Sequence, residues 1–258
     1  ESEHEHSQRL GRSGFAASYT LPMFNNGEFF GFIFFNSYEK DVFTENILSQ
    51  IDIFAHMITL TVINELSAIQ TLSAAVKTTG HITHLRDPET GSHLDRMSRY
   101  SRLIACNLSE KYDLSDAFVE HIFMFSPLHD IGKIGISELI LNKPGRLTDE
   151  EFAEIKKHPE MGVRIISDVP FLKALVPLVL HHHEFFDERG YPEGIAGEDI
   201  PLGARILGIA DAYEAMTSDR PYRKSLTKER ACAILAEEKG KQFDPRVVDA
   251  FLEIIGPA

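Results

Sequence analysis

From Ile47 to Val76 apolar residues return every three or four positions: Ile47, Ile51, Phe54, Ile58, Val62, Leu66, Ile69, Leu72 and Val76. That period marks one face of a helix and predicts helical structure from residue 44 to about 78. At 1.5 Å of rise per residue the helix is roughly 50 Å long. Such a length exceeds the usual helix of a globular core and fits a connecting or dimerising element, so a homodimer through the 44–78 helix is expected. The competing reading is two shorter core helices broken near Asn64.

The helix divides the chain. Ahead of it, "FAASYTLPMF" and "EFFGFIFFNS" read as two strands joined at Asn25-Asn26-Gly27, a composition suited to a tight hairpin turn. The second strand is apolar on both faces, so something else must cover it. Behind it the chain reads as helix and loop. Leu114-Ser115-Asp116 and Thr148-x-x-Glu151 are helix starts, the latter a capping box. Gly and Pro at "NKPGR", "HPEMG", "ERGYPEGIAG" and "FDP" cut this region into six or so helices. The expected fold class is mainly α: an all-helical domain at 79–258, a linker helix at 67–78, and a small α/β segment at 1–66 that ends in the long helix.

Composition narrows the function. A net charge of −13 over 258 residues argues against a grip on polymeric nucleic acid or an anionic membrane, both of which need clustered Lys and Arg. Asp52 and His56 interrupt the most apolar stretch, so no membrane segment is expected. No signal peptide is visible, and the start "ESEHEHSQRLGRSG" reads as the cut end of a longer chain. Two cysteines, Cys106 and Cys232, lack metal-finger spacing and fit a reducing compartment, the cytoplasm.

The chemistry lies in scattered histidines and acids: Glu89 and His93 in "ETGSH", His129 and Asp130 in "LHDIGKIGI", His158 in "KKHPEMG", His182 and His183 in "HHHEFFDERGYPEG", and Asp211 in "GIADAYEAM". Imidazole and carboxylate without thiolate favour first-row divalent metals over a pure Mg or Ca site. Glu89 and His93, four apart, share a face if a helix starts near Gly91; Lys133 lies one turn beyond Asp130 on the next predicted helix. Packing Glu89, Asp130 and Asp211 together without cations incurs a large repulsion and desolvation cost. Two or three divalent ions outweigh those charges and leave a positive pocket suited to a phosphodiester.

In order and spacing, "DPETGSH", "LHDIGKIGI", "LILNKPGRLTDEE", "KKHPEMG", the stretch from "HHHEFFDERGYPEG" to "ADAYEAMTSDRPYRKSL", and "GKQFDPRVVDAF" resemble the HD-GYP family of the HD superfamily of metal-dependent phosphohydrolases. The resemblance implies hydrolysis of a 3′,5′-cyclic dinucleotide, a bacterial second messenger, to the linear dinucleotide by a metal-bridging hydroxide. Cyclic di-GMP comes first and 3′,3′-cyclic GMP-AMP second. The alternative is a catalytically weak receptor that signals through protein contacts.

By the same resemblance His93, His129, Asp130 and Asp211 form one metal site, and His158, His182 and His183 complete a second. Glu89 marks a third metal, or caps a helix. The ions are iron or manganese first, then nickel, cobalt or zinc. Asp130 and Lys133 are the catalytic pair; Lys133, Tyr191, Glu214, Arg220 and Arg223 meet substrate. His181 reads as structural, and Glu184 as a loop brace or a helix-surface acid. Two positions depart from the family. Glu188 stands where it usually has Gly, a strained choice if that backbone needs positive φ. Glu214 stands where it more often has Asp, near the bound base. The hairpin and helix of 1–66 resemble the C-terminal part of a GAF-type sensory domain.

Overall fold

The computed structural model of the chain describes residues 13–84, 91–219 and 224–256. The chain divides into two compact units between Leu72 and Ser73.

In the first unit β1 (Ala17–Asn25) and β2 (Glu28–Ser37) pair antiparallel, from Ala17 opposite Ser37 to Asn25 opposite Glu28. The turn is tight because Asn26 and Gly27 both take positive φ, 50° and 86°, which matches the twist of a two-residue hairpin. A register shift at Met23/Phe24 places Phe24, Phe29, Phe32 and Phe34 in one exposed file of rings, with neighbouring centroids 4.8 to 6.0 Å apart. The long helix α1 (Glu45–His84) is continuous through Asn64, which excludes the broken-helix reading. Its 40 residues make it about 60 Å long. Tyr19 donates to Asp52 at 3.2 Å. Contrary to the expectation from Asp52 and His56, residues 45–83 are long and apolar enough, by length and composition, to cross a membrane, and little of their most apolar stretch is buried.

The second unit is helical among its described residues, with more and shorter helices than the six or so expected. They are α2 (Gly91–Tyr112), α3 (Asp116–Phe125), α4 (Glu138–Leu141), α5 (Asp149–Ile155), α6 (His158–Ile166), α7 (Val176–His181), α8 (Leu202–Thr217), α9 (Lys228–Glu237) and α10 (Pro245–Ile255). Both helix starts read from sequence are present. Ser115 caps α3, and Thr148 with Glu151 forms a reciprocal capping box on α5, a device worth about 1 kcal/mol.

The core lies where α2 packs against α3, α8 and α10. Met97, Ile104, Ile206, Leu207, Ile209, Val248 and Phe251 are fully buried there. Tyr100, Tyr213 and Phe251 meet edge to face, with centroids 4.9 to 5.8 Å apart. The segment after Asp130 forms a tight 3-10 turn (Ile131–Gly135) and not the expected α-helix. The turn lies close against the start of α6 at Gly132, where a side chain would come within 1.9 Å of the His158 carbonyl oxygen. Only a glycine lets the turn lie against the start of α6, and that approach carries Asp130 to His158.

Candidate metal centre

Three of the expected histidines are aimed by one repeated device. His129 follows a 3-10 turn (Ser126–Leu128), His158 follows α5, and His182 follows α7. At each position Nδ1 faces the carbonyl oxygen three residues back: Ser126 at 2.8 Å, Ile155 at 2.7 Å and Val179 at 2.8 Å. A carbonyl can only accept, so Nδ1 carries the proton and Nε2 keeps the lone pair a metal requires. At the first of these turns the Ser126 carbonyl also accepts His129 N at 3.1 Å.

His93 uses a carboxylate instead. Its Nδ1 bonds Glu214 Oε2, deep in the interior. Glu214 Oε1 in turn receives Arg96 through Nε at 2.9 Å, and Ser218 Oγ donates to it. Glu214 is 1% exposed, so it does not stand at a base-binding surface as expected. It is a buried support that orients His93 and is neutralised by Arg96. Burial alone would raise its carboxyl, but His93, Ser218 and Arg96 hold it down to about 2.

Two donor groups result. His93, His129 and Asp211 converge in one, with His93 Nε2 3.5 Å from Asp211 Oδ1; Asp130, His158, His182 and His183 converge in the other. Asp130 faces both groups. Its Oδ1 lies 3.1 Å from His158 Nε2 and 3.8 Å from His182 Nε2, while its Oδ2 lies 3.1 Å from His129 Nε2 and 2.8 Å from Lys133 Nζ. Oδ1 is buried and accepts no hydrogen bond. An orphaned carboxylate oxygen among imidazole nitrogens fits a divalent cation, since leaving it unmet costs free energy.

Electrostatics follow this layout. Burial pushes Asp130 up, but His129 and Lys133 outweigh it and hold the carboxyl well below its usual range. Burial disfavours charge on His129 as well, yet Asp130 raises it to about 9. A proton on His129 thus supplies the positive charge Asp130 demands, and a divalent ion placed there displaces it. His182 is pushed down to about 4 by burial, and His183 falls well below its ordinary value by burial and the neighbouring imidazoles. Both are neutral, the form that ligates.

Tyr191 stacks on His183, centroids 4.8 Å apart at 28°, with Lys156 Nζ 5.4 Å over its ring. Glu184 braces this loop: its buried Oε1 accepts from Glu193 N at 2.7 Å and Gly194 N at 3.1 Å, which excludes the surface-acid reading. Asp187 holds Arg189 Nε at 2.8 Å. Glu188 takes φ of 67°, the left-handed conformation its place in the loop demands. His181 lies outside both donor groups, 3.9 Å from Glu184. Glu89, Arg220 and Arg223 lie outside the described residues.

Sequence reasoning missed Arg96, Ser218 and Lys156. Arg96 sits one turn after His93, but its partner Glu214 is 118 residues away, so no local spacing could pair them.

An HD domain family model matches residues 84–247. A cyclic di-GMP phosphodiesterase of Vibrio cholerae is 37% identical over 214 residues, 77% of this chain and 44% of that protein. A 3′3′-cGAMP-specific phosphodiesterase (number 2) of Vibrio cholerae is 37% identical over 170 residues, 65% of this chain and 32% of that protein. The chain thus spans less than half the length of these relatives. The fold is shared with the crystal structure of a cyclic GMP-AMP specific phosphodiesterase of Vibrio cholerae, at a TM-score of 0.54 and 18% identity, covering 70% of this chain and 48% of that one. The family match leaves the hairpin outside, and the GAF-like reading gains no support from these comparisons. With both the histidine constellation and the Gly190-Tyr191-Pro192 loop in place, the chain belongs to the HD domain family and, within it, to the HD-GYP group.

Proposed function

We propose that residues 79–258 hydrolyse a 3′,5′-cyclic dinucleotide to the linear dinucleotide, with residues 67–78 as linker to the 1–66 segment. The observation that carries this reading is the division of Asp130 between two donor groups, with Lys133 Nζ 2.8 Å from one of its oxygens. His93, His129 and Asp211 would hold one ion, His158, His182 and His183 another, and Asp130 would serve both. Iron or manganese suits this nitrogen and oxygen set. Bound ions would supply Lewis acidity to the phosphate and lower the pKa of water at neutral pH.

The chain's own groups do the rest. Water adds at phosphorus, the ester P–O bond breaks, and the departing oxygen takes a proton. Lys133, a compact ammonium beside Asp130, offers charge to a phosphate oxygen as it becomes more negative. Burial, then the negative charge of Asp130, keeps the Tyr191 hydroxyl protonated, so it donates to substrate and does not repel it. Because Glu214 is committed to His93 and Arg96, its difference from the usual Asp carries no argument about the base. Relatives named for cyclic di-GMP are 37% to 44% identical and those named for cGAMP 31% to 37%, so cyclic di-GMP is proposed first, with Arg220 and Arg223 as further contacts.

The test loads the purified chain with Fe(II) or Mn(II) under reducing conditions and follows both dinucleotides by ion-exchange chromatography. Linear product should form, and Lys133→Ala should bind the same metal while losing on the order of 10²-fold in rate. A metal-loaded chain that binds a cyclic dinucleotide without cleaving it would establish the receptor reading instead.

A further inference from the structure

The first unit leaves apolar surface exposed where a soluble chain would ordinarily bury it. Along α1 one face is half-buried or buried at Leu48, Ile51, Ala55, Thr59 and Val62. The opposite face is exposed. From Ile47 through Gln50, Phe54, Met57, Thr61 and Asn64 its positions alternate three and four residues apart, the stagger of a coiled-coil seam, and the same spacing continues to Thr71. None of these positions carries a charge. Ile53, Ile58 and Leu60 flank the seam, and with Phe54 and Met57 they are 42% to 63% exposed.

We propose that this face is covered by a second copy of the same chain, in a parallel, in-register pair of α1 helices. Large side chains left half exposed present roughly 100 Å² each, so two such stripes pool on the order of 1,000 Å², the scale at which specific interfaces begin. Asn64 chooses the orientation. In a parallel pair it meets its own copy and the two amides hydrogen-bond, the arrangement by which one polar seam residue fixes register. An antiparallel pair centred on the 47–71 stripe would set Asn64 against Phe54 and bury an amide without a partner. A bilayer fits worse than a second helix: Gln50, Thr61, Asn64 and Thr71 lie on the exposed face, and Asp52 is bonded to Tyr19 of the hairpin.

The inference does not depend on the catalytic reading, and its test uses the whole chain. Sedimentation equilibrium should give twice the chain mass at micromolar concentration. Phe54→Glu with Met57→Glu should weaken the dimer on the order of 100-fold while leaving the far-ultraviolet helix signal unchanged. In a chain whose Cys106 and Cys232 are replaced by serine, Thr71→Cys should form disulfide-linked dimers with itself under mild oxidation. A monomer at tens of micromolar overturns the proposal. So does Thr71→Cys cross-linking with Ile47→Cys in a mixture but never with itself, or co-sedimentation of the chain with phosphatidylcholine vesicles.

Discussion

Asp130 and Asp244 are both buried carboxylates of the second unit, and the chain treats them differently. Asp244 heads α10, accepts Arg246 N at 2.9 Å and Arg246 Nε at 3.2 Å on Oδ1, and pairs through Oδ2 with Arg205. Its charge is met by guanidinium groups that never lose their protons. Asp130 has one ammonium and several imidazoles around it, and one of its oxygens is buried without a hydrogen bond. A folded chain can complete a buried carboxylate from its own sequence, as it does at Asp244. Where it assembles lone pairs around the carboxylate instead, the missing charge must come from outside.

Asp130→Ala has the largest expected effect. Removing the shared carboxylate should cost on the order of 10⁴-fold in turnover and lower the bound metal, measured by elemental analysis on the same samples. Full metal content with near-normal rate would place Asp130 among structural acids.

Asp244→Asn is the counterpart. It should leave metal content unchanged and lower unfolding stability by roughly 3 kcal/mol at neutral pH, since Arg205 is left buried beside a neutral group. Burial pushes the Asp244 carboxyl up, but Arg246 and Arg205 outweigh it and hold it below its usual value. A depressed folded pKa gives stability that is complete above the unfolded value, about 3.9, and is lost as pH falls through the folded one. Urea denaturation should therefore show the two chains far apart above about pH 5 and converging below about pH 4. A gap independent of pH would remove charge from the explanation.

Glu214 lies between these cases, a carboxylate completed by Arg96 yet spent on a candidate ligand. Glu214→Gln should weaken metal binding roughly 10- to 100-fold, read by competition with a chelating dye, with little change in the rate at saturating metal. The smallest effect belongs to backbone and not to charge. Glu188→Gly should raise stability by about 0.5 to 1 kcal/mol in the same urea titrations, because Gly takes positive φ without the Cβ clash. No gain would show that Glu188 is unstrained at 67°.

The sequence disclosed what is local. The Asn-Gly hairpin, the long helix and the Thr148 capping box follow from spacing, capping and turn chemistry over a few residues. Residues of the donor groups were legible because imidazole and carboxylate have few uses together in such number. What escaped is what only packing creates. His93 and Glu214 are 121 residues apart, so a residue taken for a base contact is a buried support. Where a helix was expected a 3-10 turn forms, and its Gly132 packs against a carbonyl remote in sequence where no side chain would fit. The interruption at Asp52 and His56 said little about α1, because Asp52 is bonded to Tyr19 and the helix stays apolar over most of its length.

A two-ion centre here requires Asp130 to serve both ions at once. Crystals of the chain loaded with Mn(II) or Fe(II), measured on both sides of the metal absorption edge, test that directly. Anomalous peaks should fall in both donor groups, about 3.5 to 4 Å apart, with one oxygen of Asp130 on each; a third peak nearest Glu89 would extend the centre without changing that claim. A single peak at full loading, or two peaks with Asp130 bound to neither or to only one, would contradict it.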